Sequence, residues 1–243
     1  MQFTDLAIFL SAKKHGENNA IASILTKQHG LYNGIIKGVN NKKLNSLYQP
    51  GNIINFVWKA RLPEHLGWLQ IELIESLPYN ILVDKRKLFA FSGMCNILSQ
   101  VLPERVPEEK LFREFCQIFT LAKNNNNHWL IKYIMFELLL LFELGFGMDL
   151  SECAVTGTVD DLYYVSPRSG RAVSKKVGEP YHNKLFILPS FFLEQKSFDM
   201  INNQELKQGL LITGYFIEKH LLAPKYIVLP LVRMKLLEII EKN

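Results

Sequence analysis

Lysine ammonium groups attract phosphate without reading bases, and Lys37–Gly38–Val39–Asn40–Asn41–Lys42–Lys43 sets three of them around a glycine-started loop. The loop follows the apolar pair Ile35–Ile36 and precedes Pro50–Gly51, so it reads as a strand running out into a cationic turn. Its chemistry is electrostatic: each phosphate it neutralises releases condensed counterions. Lys13, Lys14, Lys59 and Arg61 add positive charge in the same N-terminal third. Aromatic side chains are the second ingredient of single-strand binding, because base stacking contributes about 1–3 kcal/mol per base. Tyr32, Phe56, Trp58 and Trp68 lie on expected strands, and Trp58, next to Lys59 and Arg61, is the leading candidate for a stacking face. Core filling is the competing reading for each, since a small barrel needs large apolar side chains. Further along, Arg168, Arg171, Lys175 and Lys176 make a second cationic cluster, read either as another DNA contact or as a solvated charge group.

Motifs for bond-making chemistry are missing. The chain has no glycine-rich phosphate loop followed by Lys-Ser/Thr, no His-Glu-x-x-His and no nucleophile elbow. Asp160–Asp161 and Glu108–Glu109 are adjacent pairs pointing to different sides, and the six histidines are dispersed. A binding protein rather than an enzyme is expected, with no cofactor and no metal.

The elements that must position these residues come in two kinds. Leu6, Ile8 and Leu10 alternate with Ala7, Phe9 and Ser11, and further short strands are expected at 21–26, 31–36, 53–59 and 67–74, separated by glycine-bearing turns. Five such strands in under 80 residues suit a small closed barrel, which leaves no exposed sheet edge. From Asp84 the period becomes helical. Leu88, Phe91, Cys95, Leu98 and Leu102 share a face and Pro103 ends it; Leu111, Phe115, Ile118 and Ala122 repeat the pattern. Trp129 to Gly145 is apolar nearly all round and therefore central, and Leu206, Leu210, Ile217 and Leu221 mark a later helix stopped by Pro224. Residues 151–182 keep no period and form a loop-rich insertion. The expected class is α+β: a barrel domain over 1–79, then a mostly helical domain over 80–243.

Composition agrees with a protein of two cores: 243 residues, 48% hydrophobic and 21% charged. The net charge of +5 is unevenly spread, because residues 1–78 hold eight bases and five acids. Lys132, Glu137 and Glu143 interrupt the most apolar run, which argues against a membrane span. Met1 to Leu10 carries Asp5 and no basic region, so no secretory signal is expected. Cys95, Cys116 and Cys153 are odd in number and far apart, as for reduced cytosolic thiols.

A set of segments extends across the chain: Ala7–Ile8–Phe9–Leu10–Ser11, His15–Gly16–Glu17–Asn18, Leu25–Thr26–Lys27–Gln28–His29–Gly30, Lys37–Gly38 and Gln49–Pro50–Gly51. Phe142–Glu143–Leu144–Gly145–Phe146, Leu150 with Cys153, and Val165–Ser166–Pro167–Arg168–Ser169–Gly170 continue it. In order and spacing these resemble the RecO family of bacterial recombination mediators. The resemblance implies an oligonucleotide/oligosaccharide-binding (OB) barrel, a helical domain, binding to single- and double-stranded DNA and an activity that anneals DNA strands. It further implies work with RecR, and with the single-stranded-DNA-binding protein, to load RecA, in the cytoplasm and at the nucleoid. Against that family's basic loop, Asn40 and Asn41 stand where cations are expected. Many members hold zinc in two Cys-x-x-Cys pairs within the insertion; here Cys153 remains, while Thr156, Ser174 and Val177 take the other positions, so no zinc is expected. The competing reading of the whole is an OB-type RNA or ribosome-associated binding module.

Overall fold

The structure, a computed structural model, describes residues 1–39, 46–62, 64–193 and 197–242. Lys42 and Lys43, with Asn40 and Asn41, lie outside them. Contacts gather the chain into two compact units, one of residues 1–123 with Pro230–Arg233, the other of Asn124–Leu229 with the segment from Met234.

In the first unit, strands β1 (Gln2–His15), β2 (Asn19–Thr26), β3 (Gly30–Lys37), β4 (Ile53–Lys59) and β5 (Gly67–Glu75) close a barrel in the order β1-β2-β3-β5-β4. All pairings are antiparallel except β3 with β5, where Gly34 faces Gly67 and Ile35 faces Trp68. Alternation sends Ala7, Phe9, Ala22, Ile24, Ile54, Phe56 and Trp58 into the interior. β1 departs from simple alternation: Ile8 and Leu10, on its outer face, are buried as well, because helix α2 (Lys85–Val101) packs against β1 and β2.

The turn between β2 and β3 is stapled by polar side chains. The Thr26 hydroxyl donates to the Gly30 carbonyl at 2.9 Å and accepts from the His29 amide at 2.9 Å, and Asp5 accepts from the Gln28 amide at 2.8 Å. Gly30 has φ +79°, and a Cβ there would meet the Val106 carbonyl oxygen at 1.9 Å. Only glycine lets that loop approach and bridge Leu31 to Glu104. Helix α1 (Tyr79–Val83) follows the barrel, and α3 (Glu109–Lys123) buries Leu111, Phe115, Ile118 and Ala122 as expected. The buried Lys87 ammonium and the Asn80 amide donate to the Ala122 carbonyl at the C-terminal end of α3, where a cation complements the helix dipole.

In the second unit the nearly all-apolar α4 (Trp129–Glu143) packs on α6 (Asn203–Ile217). Glu137, buried on α4, accepts from the Tyr133 hydroxyl at 2.6 Å and from the Thr213 hydroxyl of α6. Asn202 and Glu205 cap α6 reciprocally. The chain continues through a π-helical turn, Glu218–Leu222, in which His220 stacks between Phe146 and Phe216. The insertion is not mere loop. Strands β6 (Leu162–Val165), β7 (Ala172–Ser174) and β8 (Phe186–Ile187) form a small sheet in the order β7-β6-β8, with the short α5 (Lys175–Gly178) following β7. A last helix, α7 (Leu231–Glu241), was not anticipated from the sequence. The expected order, barrel first and helices after, is therefore the observed one. Among the described residues no helix is long and apolar enough to cross a membrane.

Candidate nucleic-acid interface

Pairing register builds the site. Gln2 of β1 faces Lys59 of β4, Lys59 faces Trp68 of β5, and Trp68 faces Ile35 of β3. Lys37 lies two residues beyond Ile35 and so emerges on the same face of β3. Its Nζ stands 4.5 Å from the centre of the Trp68 ring. Lys37, Lys59, Trp68, Tyr48, Gln2 and Gln70 line a groove of about 510 Å³ together with half-buried Val57, and among the described residues no carboxylate lines it. The Tyr48 hydroxyl donates to the Lys37 carbonyl at 3.1 Å, which fixes the end of β3. The loop carrying Tyr48 is tied down by buried Asn52, whose amide donates to the Ser46 and Leu47 carbonyls and accepts from the Leu77 amide.

Trp58 is not part of this face. It is 1% exposed, its indole lies against Gly67, and its N–H donates to the Asn33 carbonyl at 3.2 Å. Neighbours in a strand point to opposite sides, so adjacency to the exposed Lys59 places Trp58 in the core rather than on the cationic surface. The accessible indole is that of Trp68, 45% exposed.

The remaining cations are dispersed. Lys13 lines a second groove of about 450 Å³ that Glu64 and Glu104 make mixed in charge. Lys14 and Arg61 are exposed, as are Arg168, Lys175 and Lys176 in the other unit. Arg171 is engaged in ion pairs with Asp149 at 3.1 Å and Glu152 at 3.2 Å. Lys175 stands 5.1 Å from the Tyr163 ring centre.

Within the insertion, Cys153, Thr156, Ser174 and Val177 converge. The Cys153 sulfur accepts from the Ser174 amide at 3.3 Å and from the Thr156 hydroxyl, and Val177 joins the small core of Cys153, Tyr164 and Val173. Burial pushes the thiol up, but the hydrogen bonds from Thr156, Ser174 and Val155 outweigh it and bring the thiol down to about 6. One thiol, two hydroxyls and an isopropyl group do not make a zinc donor set. Among the described residues no cluster of three His, Cys, Asp or Glu side chains could hold a metal.

The chain matches the models for the recombination protein O N terminus over residues 1–77 and C terminus over residues 83–226. The chain belongs to the RecO family. Relatives named DNA repair protein RecO are similar along nine-tenths or more of their length. That of Rhodospirillum rubrum is 39% identical over 98% of this chain and 96% of its own. That of Wolbachia pipientis wMel is 39% identical over 98% and 100%. The Rickettsia typhi protein is 42% identical over 91% and 92%. The RecO N-terminal match covers the closed barrel and its groove, and the C-terminal match covers helices α2 to α6 and the insertion, ending before α7.

Proposed function

We propose that this chain is a non-enzymatic, DNA-binding recombination mediator that works in DNA repair, in the cytoplasm and at the nucleoid. The observation that carries this reading is the groove of Lys37, Lys59 and Trp68, lined by no carboxylate among the described residues, on the barrel of a RecO-family chain. Its ammonium groups hold single- or double-stranded backbones by charge, and annealing needs no covalent step: two screened strands are brought together on a cationic surface. Residues 1–79 serve as the DNA-binding domain, with Lys13, Lys14, Arg61, Lys42 and Lys43 contributing, and Arg168, Lys175 and Lys176 offer a second contact. The domain from residue 80 organises partners: RecR, and the single-stranded-DNA-binding protein whose coated strands are handed to RecA. An acidic–hydrophobic tail suits a cation beside an apolar ring. Lys132, 5.8 Å from the Phe198 ring centre, meets that description better than Lys207, which is paired with Glu241 at 3.1 Å.

The test is binding of end-labelled DNA and RNA strands of one sequence at two salt concentrations. The reading expects salt-sensitive binding to DNA with no preference for RNA. Tighter binding to RNA at equal salt would favour an RNA or ribosome-associated module, through 2′-hydroxyl contacts.

A further inference from the structure

We infer that the barrel groove takes an unpaired nucleobase on the Trp68 indole and thereby selects single-stranded over duplex nucleic acid; this rests on the DNA-binding reading above. The barrel does not need Trp68 for its core, which Trp58 and Leu69 already fill from the adjoining β4 and β5 positions. Trp68 is instead 45% exposed beside two lysines, whereas Trp58 and Trp129 are 1% and 5% exposed. The groove's volume of about 510 Å³ falls in the range that encloses small organic ligands. Half-buried Val57, on the same face of β4 as Lys59, gives the groove an apolar surface that suits a ring, and the Gln70 amide on its wall supplies both a donor and an acceptor for a base edge.

In the free protein the Lys37 ammonium covers the indole at 4.5 Å. A base arriving on that ring displaces the ammonium, which is then free to meet the phosphate of the same nucleotide. Bases within a duplex are already stacked on both faces and cannot make this exchange. Pairing with a complement draws the base off Trp68 and returns Lys37 to the ring, so the groove holds a strand until it is annealed.

Because Trp68 is the exposed tryptophan, its emission reports the event directly. Oligothymidylate and an abasic strand of equal length, which carries the same phosphates, are titrated into the full chain at low salt. The expected result is quenching by oligothymidylate, binding of the abasic strand without quenching, and a Trp68→Leu variant that binds oligothymidylate roughly 5- to 100-fold more weakly while binding the abasic strand as before. Salt-sensitive binding of oligothymidylate to the unaltered chain without quenching would overturn the inference and leave the DNA-binding reading standing. That measurement does not depend on the variant folding. Failure of both strands to bind at low salt would remove the DNA-binding reading, and this inference with it.

Discussion

Lys37 and Trp68, thirty-one positions apart in the chain, meet because the parallel pairing of β3 with β5 puts Ile35 opposite Trp68 and the strand period carries Lys37 to the same face. An exposed cation–π contact is worth about 0.5–1 kcal/mol, whereas a stacked base contributes about 1–3 kcal/mol. On these magnitudes a base would replace the ammonium at a net gain, as the exchange inferred above requires, and its phosphate would give the displaced charge a new partner.

Replacing Lys37 or Lys59 with alanine should weaken binding similarly across DNA sequences. Each should flatten the slope of log affinity against log salt by at most about one unit. Anisotropy titrations at several salt concentrations measure both quantities. A variant that lost affinity for some sequences and kept it for others would place the lysine at a base edge instead.

Gly67→Ala should destabilise the barrel by about 1–3 kcal/mol, the usual cost of overpacking. The added Cβ would lie 2.4 Å from the buried Trp58 indole, which is hemmed in by Phe3 and Tyr32 and cannot swing aside. Urea unfolding followed by circular dichroism gives the value. An unchanged midpoint would mean that the ring has more freedom than its packing indicates.

Much of this architecture is legible in the sequence. The strand over Ile53–Lys59 and the helices around Phe115 and Trp129 follow from periodicity, and Pro103 marks a real stop, whereas α6 ends at Ile217 and Pro224 sits within a 3-10 turn, Ala223–Lys225, that follows the π-helical turn. The site is less legible, for two reasons. Proximity along the chain favours Trp58 as the partner of Lys59, yet strand geometry puts neighbours on opposite faces. The groove is made by register between β3 and β5, across a long connection, and no local pattern encodes that pairing. Asn52 gives no signal either: it is one polar residue before an apolar strand, and its importance appears only when its three backbone partners are seen. The insertion strands, such as Ala172–Ser174, are too short to show alternation.

Cys153 should make stability pH-dependent. Its folded pKa of about 6 lies below the ordinary thiol value of 9.0, so the unfolded chain binds the extra proton between them. Stability from this group is full above about pH 9 and is lost as pH falls toward 6. Cys153→Ala should remove that dependence, and should cost about 1–3 kcal/mol at neutral pH by leaving the buried Ser174 amide without its acceptor. Urea midpoints of both proteins at pH 6 and pH 9 test this. Adding a chelator should leave the parent's midpoint unchanged, because the insertion is held by this core rather than by a donor set for zinc.

Thr213→Val should destabilise the helical unit by about 1–3 kcal/mol, since buried Glu137 loses a hydrogen-bond donor across the α4–α6 contact. Thermal unfolding should show a lower midpoint, with DNA affinity at the barrel unchanged. A stability equal to the parent's would mean that the carboxylate is satisfied without this hydroxyl.

Mediation is tested by annealing of two complementary strands coated with the cognate single-stranded-DNA-binding protein, with the purified chain added at low and at moderate salt. Acceleration that fades as salt rises, and that Lys37→Ala with Lys59→Ala diminishes, is the predicted result. Coated strands that anneal no faster with the chain present, at either salt concentration, would mean that the chain is not a mediator.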